Sequence, residues 1–410
     1  MGSGTAQGVA TDPAPGARVH ALDALRGVAV LGIIPMNVIA WSMVYAAYIN
    51  PRADIVGGAG PLETALWALT FVLVEDKFRT LFAMLFGAGV AILIERARVK
   101  SGTHPLREHY ARMAALLAIG VVHTLLLADN DILRNYALAG CLLPFVLRWP
   151  VRRLLWAVAI VVALDFALTS FWAFSYALSD DSAARAVAET EFGAGGDVGF
   201  FLDRARESVG ERIERHLGEA PLSLFLATTS LRNNIACMLL GVALWNNGLL
   251  AGRWPRERLL RLARILALVS LPVLIGLAAW SIASGFDAGV TAANARAFSI
   301  PFDMALGVAY AALAMAVFAG GGAITERLAA AGRMALSNYL LTSVIFAALF
   351  HAWGLGLFGR VGRVEAEALA LLPAAFILLW SAPWLARFRQ GPAEWFWRSL
   401  ASLKVQKLRR

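Results

Sequence analysis

The chain is built largely from apolar runs of about twenty residues that are separated by short polar segments. A run of this length can cross the roughly 30 Å hydrocarbon layer of a bilayer as a single helix. Of the 410 residues, 59% are hydrophobic and 16% are charged, whereas soluble domains carry about 25% charged residues. The pattern therefore predicts an all-α, polytopic membrane helix bundle and argues against a water-soluble enzyme.

Ten such runs can be counted along the chain, which predicts about ten transmembrane helices. They cover approximately residues 21–45, 77–95, 110–128, 131–148, 152–174, 222–246, 259–283, 298–320, 334–353 and 365–386. Two other segments, at about 62–75 and 200–217, have helical spacing of apolar residues but break the alternation of loops if they cross. We predict that both are interfacial helices lying on the membrane surface.

The charges in the loops predict the orientation. Arginine and lysine are concentrated in alternate loops and after the last run, and the positive-inside rule places such loops in the cytoplasm. The long segment 175–220 lies on the opposite side by this count and holds ten acidic residues against five arginines. We therefore expect a multi-pass membrane protein with both termini in the cytoplasm.

The acidic segment also divides the chain into two membrane halves. The predicted parts are a disordered tail at 1–17, an N-terminal half at 18–175, an extracytoplasmic loop at 176–220, a C-terminal half at 221–400 and a basic tail at 401–410. The amphipathic stretch 387–400 is predicted to anchor the chain at the interface.

Several classes of function are disfavoured. The net charge is +9, but the basic residues lie between apolar runs, where the positive-inside rule places them. We therefore expect no nucleic-acid partner. Cys141 and Cys237 lie inside apolar runs and no zinc-type spacing occurs, so neither a disulfide framework nor a metal is predicted. The sequence contains no P-loop, HExxH or Gly-rich dinucleotide motif.

Two runs share one polar pattern. Arg26 and Asn37 are eleven positions apart in the first run, and Arg112 and His123 are eleven apart in the third. Eleven residues make three helical turns plus about 20°, so each pair faces one way, roughly 16 Å apart along the axis. If the two runs are neighbours, a polar path would cross the membrane. Alternatively, the arginines extend to lipid headgroups and His123 is a hydrogen-bonded residue of the bundle.

His123 is the candidate general base, because histidine changes charge nearest neutral pH. Asp131 and Tyr136 follow closely and could orient its ring. Other polar groups within or beside apolar runs are candidate substrate-binding residues, since such groups are costly in a membrane. They are Asp76, Lys77, Arg79, Tyr136, Arg232 and Asn338.

For these residues a structural role is the competing interpretation. Asp76, Lys77 and Arg79 could instead form an interfacial salt network. Arg232 could pair with Asp165 or Asp303, and the sequence leaves the choice open. Asn338 could make helix-to-helix hydrogen bonds.

Several motifs resemble those of the YeiB family, whose C-terminal half is a domain of unknown function (418). They are LDALRGVAVLGIIPMNV, FRTLFAMLFGAG, GVVH followed by DIL and YAL, GRMALSNYL, and RQGPAEWFWR. They occur in order from about Arg18 to Leu400, so the resemblance covers nearly the whole chain.

The LDALRG opening is also distantly similar to transmembrane acyltransferases, namely the acyltransferase-3 and heparan-glucosaminide acetyltransferase group. This resemblance implies acyl-CoA as donor, with the acyl group placed on a hydroxyl or amine outside. Arg26 matches the arginine of the acyltransferase-3 motif, but Asn37 stands where its histidine would be. The heparan-type enzymes place asparagine there and use a histidine from the next outer loop, yet segment 46–76 has no histidine.

The first hypothesis is therefore acyl transfer, with Arg26 and Arg112 binding acyl-CoA, His123 as base, Asp131 orienting it and Asn37 stabilising the oxyanion. The rivals are a transporter or flippase and a non-catalytic sensor. We expect membrane lipids and a small-molecule or lipid-linked glycan acceptor as partners. A homodimer is compatible with the sequence.

Overall fold

The computed structural model of the protein describes residues 15–99, 104–129, 131–177, 182–194 and 198–410. In these ranges all regular secondary structure is helical, and the one β-type contact is an isolated antiparallel bridge between Phe388 and Arg409. The predicted all-α fold is confirmed. Most of the predicted N-terminal tail, residues 1–14, lies outside the described ranges, while 15–17 belong to the first helix.

The described helices follow one another in two series. The first is α1 (Pro15–Ser42), α2 (Pro61–Leu73), α3 (Lys77–Val99), α4 (Pro105–Leu126), α5 (Ile132–Gly140), α6 (Val151–Ala177), α7 (Ser182–Phe192), α8 (Val198–Arg206) and α9 (Val209–Gly218). The second is α10 (Ala220–Asn246), α11 (Arg256–Ala283), α12 (Ala288–Ala293), α13 (Ile300–Phe318), α14 (Ala323–Arg333), α15 (Ala335–Phe350), α16 (Arg363–Arg387) and α17 (Pro392–Ser402). A π-helical turn, Asn294–Phe298, joins α12 to α13.

The chain is a multi-pass membrane protein by the length and apolarity of its helices. Within the described residues seven helical segments can cross a membrane, or eight if α14 and α15, which meet at 78°, are one broken span. The predicted count of about ten is not reached there. One reason is the run 131–148, where α5 has nine residues, a length of about 14 Å. Pro144 follows in a 3₁₀ turn, and proline disfavours helix at the residue before it.

Both predicted interfacial segments are helical, but their form differs from the prediction. The segment at 62–75 is α2, which runs on towards α3 so that the two form one 39-residue apolar segment. The break between them contains Asp76 in a left-handed conformation, with φ 57°. The segment at 200–217 is two helices, because Ser208 and Glu211 form a capping box that starts α9 anew. Their position at a membrane surface stays a prediction.

Contacts between helix ends define two ends of the bundle. At one end Trp397 of α17 donates from Nε1 to the carbonyl of Arg112 on α4, at 2.8 Å. At the other end the backbone N–H of Gly359, before α16, donates to Ser42 at the end of α1, at 2.9 Å. The predicted alternation of loops agrees with this pairing: it puts the first part of α4 and the segment after α16 on one side of the membrane. It puts the end of α1 and the segment before α16 on the other side. Which end faces the cytoplasm stays a prediction.

Glycines allow the central helices α3 and α10 to approach closely. A Cβ atom on Gly87 of α3 would lie 2.2 Å from the carbonyl oxygen of Met238 on α10. A Cβ on Gly241 of α10 would in turn lie 1.9 Å from the carbonyl oxygen of Met84 on α3. Small residues at such crossings let backbones pack together, which is the main source of helix association in lipid.

Replacing Gly241 with alanine should therefore push α3 and α10 apart. We expect Gly241→Ala to lower the free energy of unfolding by about 1–3 kcal/mol, the usual cost of overpacking, measured by thermal unfolding in detergent. The control is Gly276→Ala on α11, where a Cβ meets nothing within 4 Å, so its melting temperature should stay level or rise. Equal melting temperatures for the two variants would contradict the close crossing.

Candidate functional site

A buried carboxylate joins three helices at the centre of the candidate site. Asp131, which is 1% exposed, lies 2.9 Å through Oδ1 from Nδ1 of His123 on α4. The same oxygen accepts a hydrogen bond from the hydroxyl of Tyr339 on α15, at 3.1 Å. Its second oxygen accepts from the backbone N–H of Arg134 at 3.2 Å and so caps the start of α5. The predicted proximity of His123 and Asp131 is thus present in the structure.

The local sequence explains how this contact forms. Gly120 lies one helical turn before His123, and a Cβ there would be 2.6 Å from Asp131 Oδ2. The glycine therefore leaves the space into which the carboxylate fits. Because α4 ends at Leu126 and α5 begins at Ile132, the short turn between them returns Asp131 to the side of α4 that carries His123.

The geometry leaves one imidazole nitrogen of His123 free. A carboxylate without a proton can only accept hydrogen bonds, so the contact fits the tautomer of His123 that carries its proton on Nδ1. The other nitrogen, Nε2, is buried and has no hydrogen-bond partner among the residues that the structure describes. Leaving a buried acceptor without a partner costs about 1–3 kcal/mol. Such an atom is suited to receive a proton from a substrate.

Asn37 lies in a small pocket next to this network. The pocket has a free volume of about 10 Å³, room for about one water molecule, and lies between α1, α3 and α15. It is lined by Val30, Ile33, Ile34, Asn37, Phe82, Tyr339 and Thr342. Tyr339 therefore contributes both to the pocket wall and to the hydrogen bonds of Asp131. His123 does not line the pocket, since the Tyr339 ring, 5.4 Å from the imidazole, lies beside it.

Tyr339 is the residue that the sequence-based site omits. It directly follows the predicted Asn338 in GRMALSNYL, but nothing in the sequence indicates that it contacts Asp131, 208 positions away. Asn338 itself points elsewhere. Its amide donates to the carbonyl of Ala331 and to Ser381, and its oxygen accepts from Trp380. These bonds tie the α14–α15 bend to α16, as the structural interpretation expects.

The two predicted acyl-CoA arginines are not on directly packed helices. α1 packs mainly on α14, α16, α13, α15 and α3, whereas α4 packs mainly on α5, α17, α9 and α3. The polar path is conditional on the first and third runs being neighbours; in the structure both helices pack against α3, and their main contacts are with other helices. Arg26 is half-buried and pairs with Asp23 at 2.7 Å. Arg112 is partly buried beside α17.

The predicted charges near the start of α3 are paired inside the protein. Lys77 forms a fully buried ion pair with Asp303 of α13, at 2.6 Å. Arg79 pairs with Asp76 at 2.6 Å and also donates to Asn234 of α10, at 3.3 Å. These contacts link α3, α10 and α13, so the cluster is a salt network between helices. Its position relative to the membrane interface stays a prediction.

Two further predicted residues also have partners. Arg232 pairs with Asp165 at 2.7 Å, which decides between the two acids that the sequence left open. Tyr136 lies buried between Phe82 and Phe86, and its hydroxyl is 3.5 Å from the carbonyl of Arg79. It does not contact His123 in the way Asp131 does, so it is not the group that orients the ring.

Helix α9 is bound by ion pairs to Asp129, two residues before Asp131. Asp129 Oδ1 is 2.7 Å from Arg212, 3.3 Å from Arg215 and 2.9 Å from His216 Nε2. Burial by itself would raise the pKa of Asp129, but the hydrogen bond from His216 and the charges of Arg212 and Arg215 outweigh it. They hold the pKa well below its ordinary value of 3.8.

A carboxyl group whose pKa is lowered by folding stabilises the fold above its ordinary pKa and loses this contribution as the pH falls below it. We therefore expect Asp129→Asn to lower the melting temperature at pH 7, and we expect its difference from the wild type to shrink below about pH 4. Thermal unfolding between pH 3 and pH 8 measures this. A difference that is the same at both ends of the range would contradict the charge-based docking of α9.

No group of three or more His, Cys, Asp or Glu side chains in the described ranges is arranged to hold a metal ion. The polar groups of the site are the His123–Asp131 pair, the Tyr339 hydroxyl and the Asn37 amide.

Comparisons with known proteins agree with the resemblance in the motifs. Residues 244–404 match the family model described as "Protein of unknown function (DUF418)". The chain is 32% identical over 398 residues to the Escherichia coli K12 protein named "Uncharacterized protein YeiB", covering 92% of this chain and 95% of the relative. It is 28% identical over 408 residues to "Uncharacterized protein YxaH" of Bacillus subtilis 168, covering 95% and 96%.

None of these descriptions names an acyltransferase, so the more distant similarity stays a prediction. The near-complete coverage of the Escherichia coli relative at 32% identity decides the family. The chain is a multi-pass membrane protein that belongs to the YeiB family.

Proposed function

We propose that the protein transfers an acyl group from an acyl-CoA to a hydroxyl or amine acceptor, with His123 as general base. The observation that carries the proposal is the buried His123–Asp131 pair, in which Nδ1 faces a carboxylate and Nε2 meets no hydrogen-bond partner in the described part of the chain. A carboxylate that holds one imidazole nitrogen while the other faces a nucleophile is the arrangement found in Ser-His-Asp enzymes. The distant LDALRG similarity supports the same class of reaction.

In the proposed step the acceptor oxygen or nitrogen attacks the thioester carbonyl carbon and gives one proton to Nε2 of His123. Asp131 stabilises the imidazolium that forms. The tetrahedral intermediate then collapses, the C–S bond breaks, and the leaving sulfur takes the proton from Nε2. The products are the acylated acceptor and CoA with a free thiol, and His123 is neutral again.

The other residues have supporting roles in this proposal. The Asn37 amide, in the adjacent pocket, would donate a hydrogen bond to the oxyanion. Arg26 and Arg112 would bind the anionic groups of acyl-CoA, to which guanidinium groups are well matched. Since Tyr339 lies between the pocket and His123, access to Nε2 requires its ring to turn aside.

His123→Ala should insert and fold, with a lower melting temperature because Asp131 loses one hydrogen-bond donor. It should lose acyl transfer, because the proton acceptor is removed. The measurement is transfer of radiolabelled acetyl-CoA to a panel of amines and alcohols in reconstituted vesicles. The matched control is His104→Ala, since His104 is exposed at the start of α4 and should keep wild-type turnover. Unchanged turnover of the His123 variant would exclude it as the base, and wild-type protein that acylates no acceptor would contradict the proposed reaction.

Asn37→Ala should lower turnover by about a hundredfold or more if its amide holds the oxyanion, which is the usual effect of removing one such donor. The Michaelis constant for acyl-CoA should change little, because the interaction is strongest in the transition state. A loss of only a few fold, or a change confined to the Michaelis constant, would remove Asn37 from this role.

Transport of a small or lipid-linked substrate is the second candidate. It is favoured by the buried ion pair Lys77–Asp303 and the partly exposed pair Asp76–Arg79, because charged groups inside a membrane bundle often mark a substrate or ion pathway. Thermal stabilisation by acetyl-CoA would favour the enzyme. Accumulation of substrate in vesicles without an acyl donor would favour transport. If neither effect is observed, the non-catalytic sensor is the remaining hypothesis.

A further inference from the structure

The end of the chain folds back on itself and brings two basic stretches together. Phe388 forms a backbone bridge with Arg409, and the N–H of Arg389 donates to the carbonyl of Leu408 at 2.9 Å. Trp395 on α17 donates from Nε1 to the carbonyl of Gln406 at 2.7 Å. These bonds place residues 404–410 beside the end of α16. We call residues 387–410 the C-terminal patch.

The charge of the C-terminal patch is strongly positive and unbalanced. Its basic side chains are all exposed and are Arg387, Arg389, Arg398, Lys404, Lys407, Arg409 and Arg410. Its single acidic residue, Glu394, is buried and accepts hydrogen bonds from the Ser337 hydroxyl and the backbone N–H of Leu336. The one carboxylate is therefore used inside the protein, and the surface of the patch is left cationic.

Exposed apolar side chains lie among these cations. Leu403 is 88% exposed and Val405 is 85% exposed, while Phe396 and Leu400 on α17 are also exposed. Leu403 adopts a left-handed conformation, with φ 51°, which ends α17 and turns the tail back. Isolated exposed apolar residues need no explanation, but four of them within a surface this basic fit a bilayer interface.

We propose that the C-terminal patch binds the headgroups of anionic phospholipids at the membrane surface. Cations near such a surface are attracted by its negative potential, while exposed apolar side chains enter the boundary between headgroups and acyl chains. A soluble polyphosphate would use the cations but would leave Leu403 and Val405 in water. The exposed apolar side chains therefore favour a lipid over a free anion. The proposal does not depend on the acyl-transfer reaction.

The test compares two triple variants of the full-length protein with equal loss of charge. The first is Arg389→Gln, Lys407→Gln and Arg409→Gln in the patch. The control is Arg256→Gln, Arg261→Gln and Arg264→Gln, three exposed arginines of α11. Detergent-solubilised protein is titrated with phosphatidylglycerol, phosphatidylcholine or inorganic phosphate, and lipid retention by native mass spectrometry and the melting temperature are measured.

We expect phosphatidylglycerol, but not phosphatidylcholine, to bind and raise the melting temperature of the wild type. The patch variant should bind phosphatidylglycerol about a hundredfold more weakly, since each cation at a membrane surface contributes about 1 kcal/mol, and the control should bind as the wild type does. Equal binding of both lipids, retention of the preference in the patch variant, equal loss in the control, or stabilisation by inorganic phosphate alone would each overturn the proposal.

Discussion

The arrangement of the site depends on the buried carboxylate of Asp131. A buried charge is tolerated only when hydrogen bonds replace the water it has lost, and here His123, Tyr339 and the backbone of Arg134 supply them. These donors come from α4, α15 and α5. Removing any one of these donors would leave the charge less well compensated. The carboxylate therefore fixes the consecutive helices α4 and α5 against α15, whose Tyr339 is 208 positions from Asp131 in the chain.

The same requirement recurs elsewhere in the bundle. Lys77 with Asp303 and Arg232 with Asp165 each join two helices by a pair of opposite charges. Close glycine crossings such as that of Gly241 against α3 supply the packing that the hydrophobic effect cannot supply between helices in lipid. The ion pairs and the close glycine contacts together specify which helices are neighbours. The Asp131 network differs from these pairs in containing an imidazole, whose second nitrogen, Nε2, has no hydrogen-bond partner among the described residues.

Local features of the structure could be predicted from the sequence, and long-range ones could not. Apolar periodicity predicts the helices, and a separation of eight residues across a short turn predicts the His123–Asp131 contact. Pro144 could indicate that the run 131–148 is broken, but the length of the run by itself predicts a crossing. The Tyr339–Asp131 contact and the helices that pack against α1 and α4 could not be predicted. They depend on packing between segments that are distant in the chain, which no pattern in a single sequence reveals.

The central claim is that Asp131 holds His123 with the proton on Nδ1 and leaves Nε2 free. Nitrogen-15 NMR of the histidine-labelled protein, with the His123 signals assigned by comparison with a His123→Gln variant, tests this directly. At a pH where the ring is neutral, we predict a protonated Nδ1 and an unprotonated Nε2, and we predict that Asp131→Asn changes this tautomer distribution. A neutral ring with its proton on Nε2, or signals that Asp131→Asn leaves unchanged, would contradict the account.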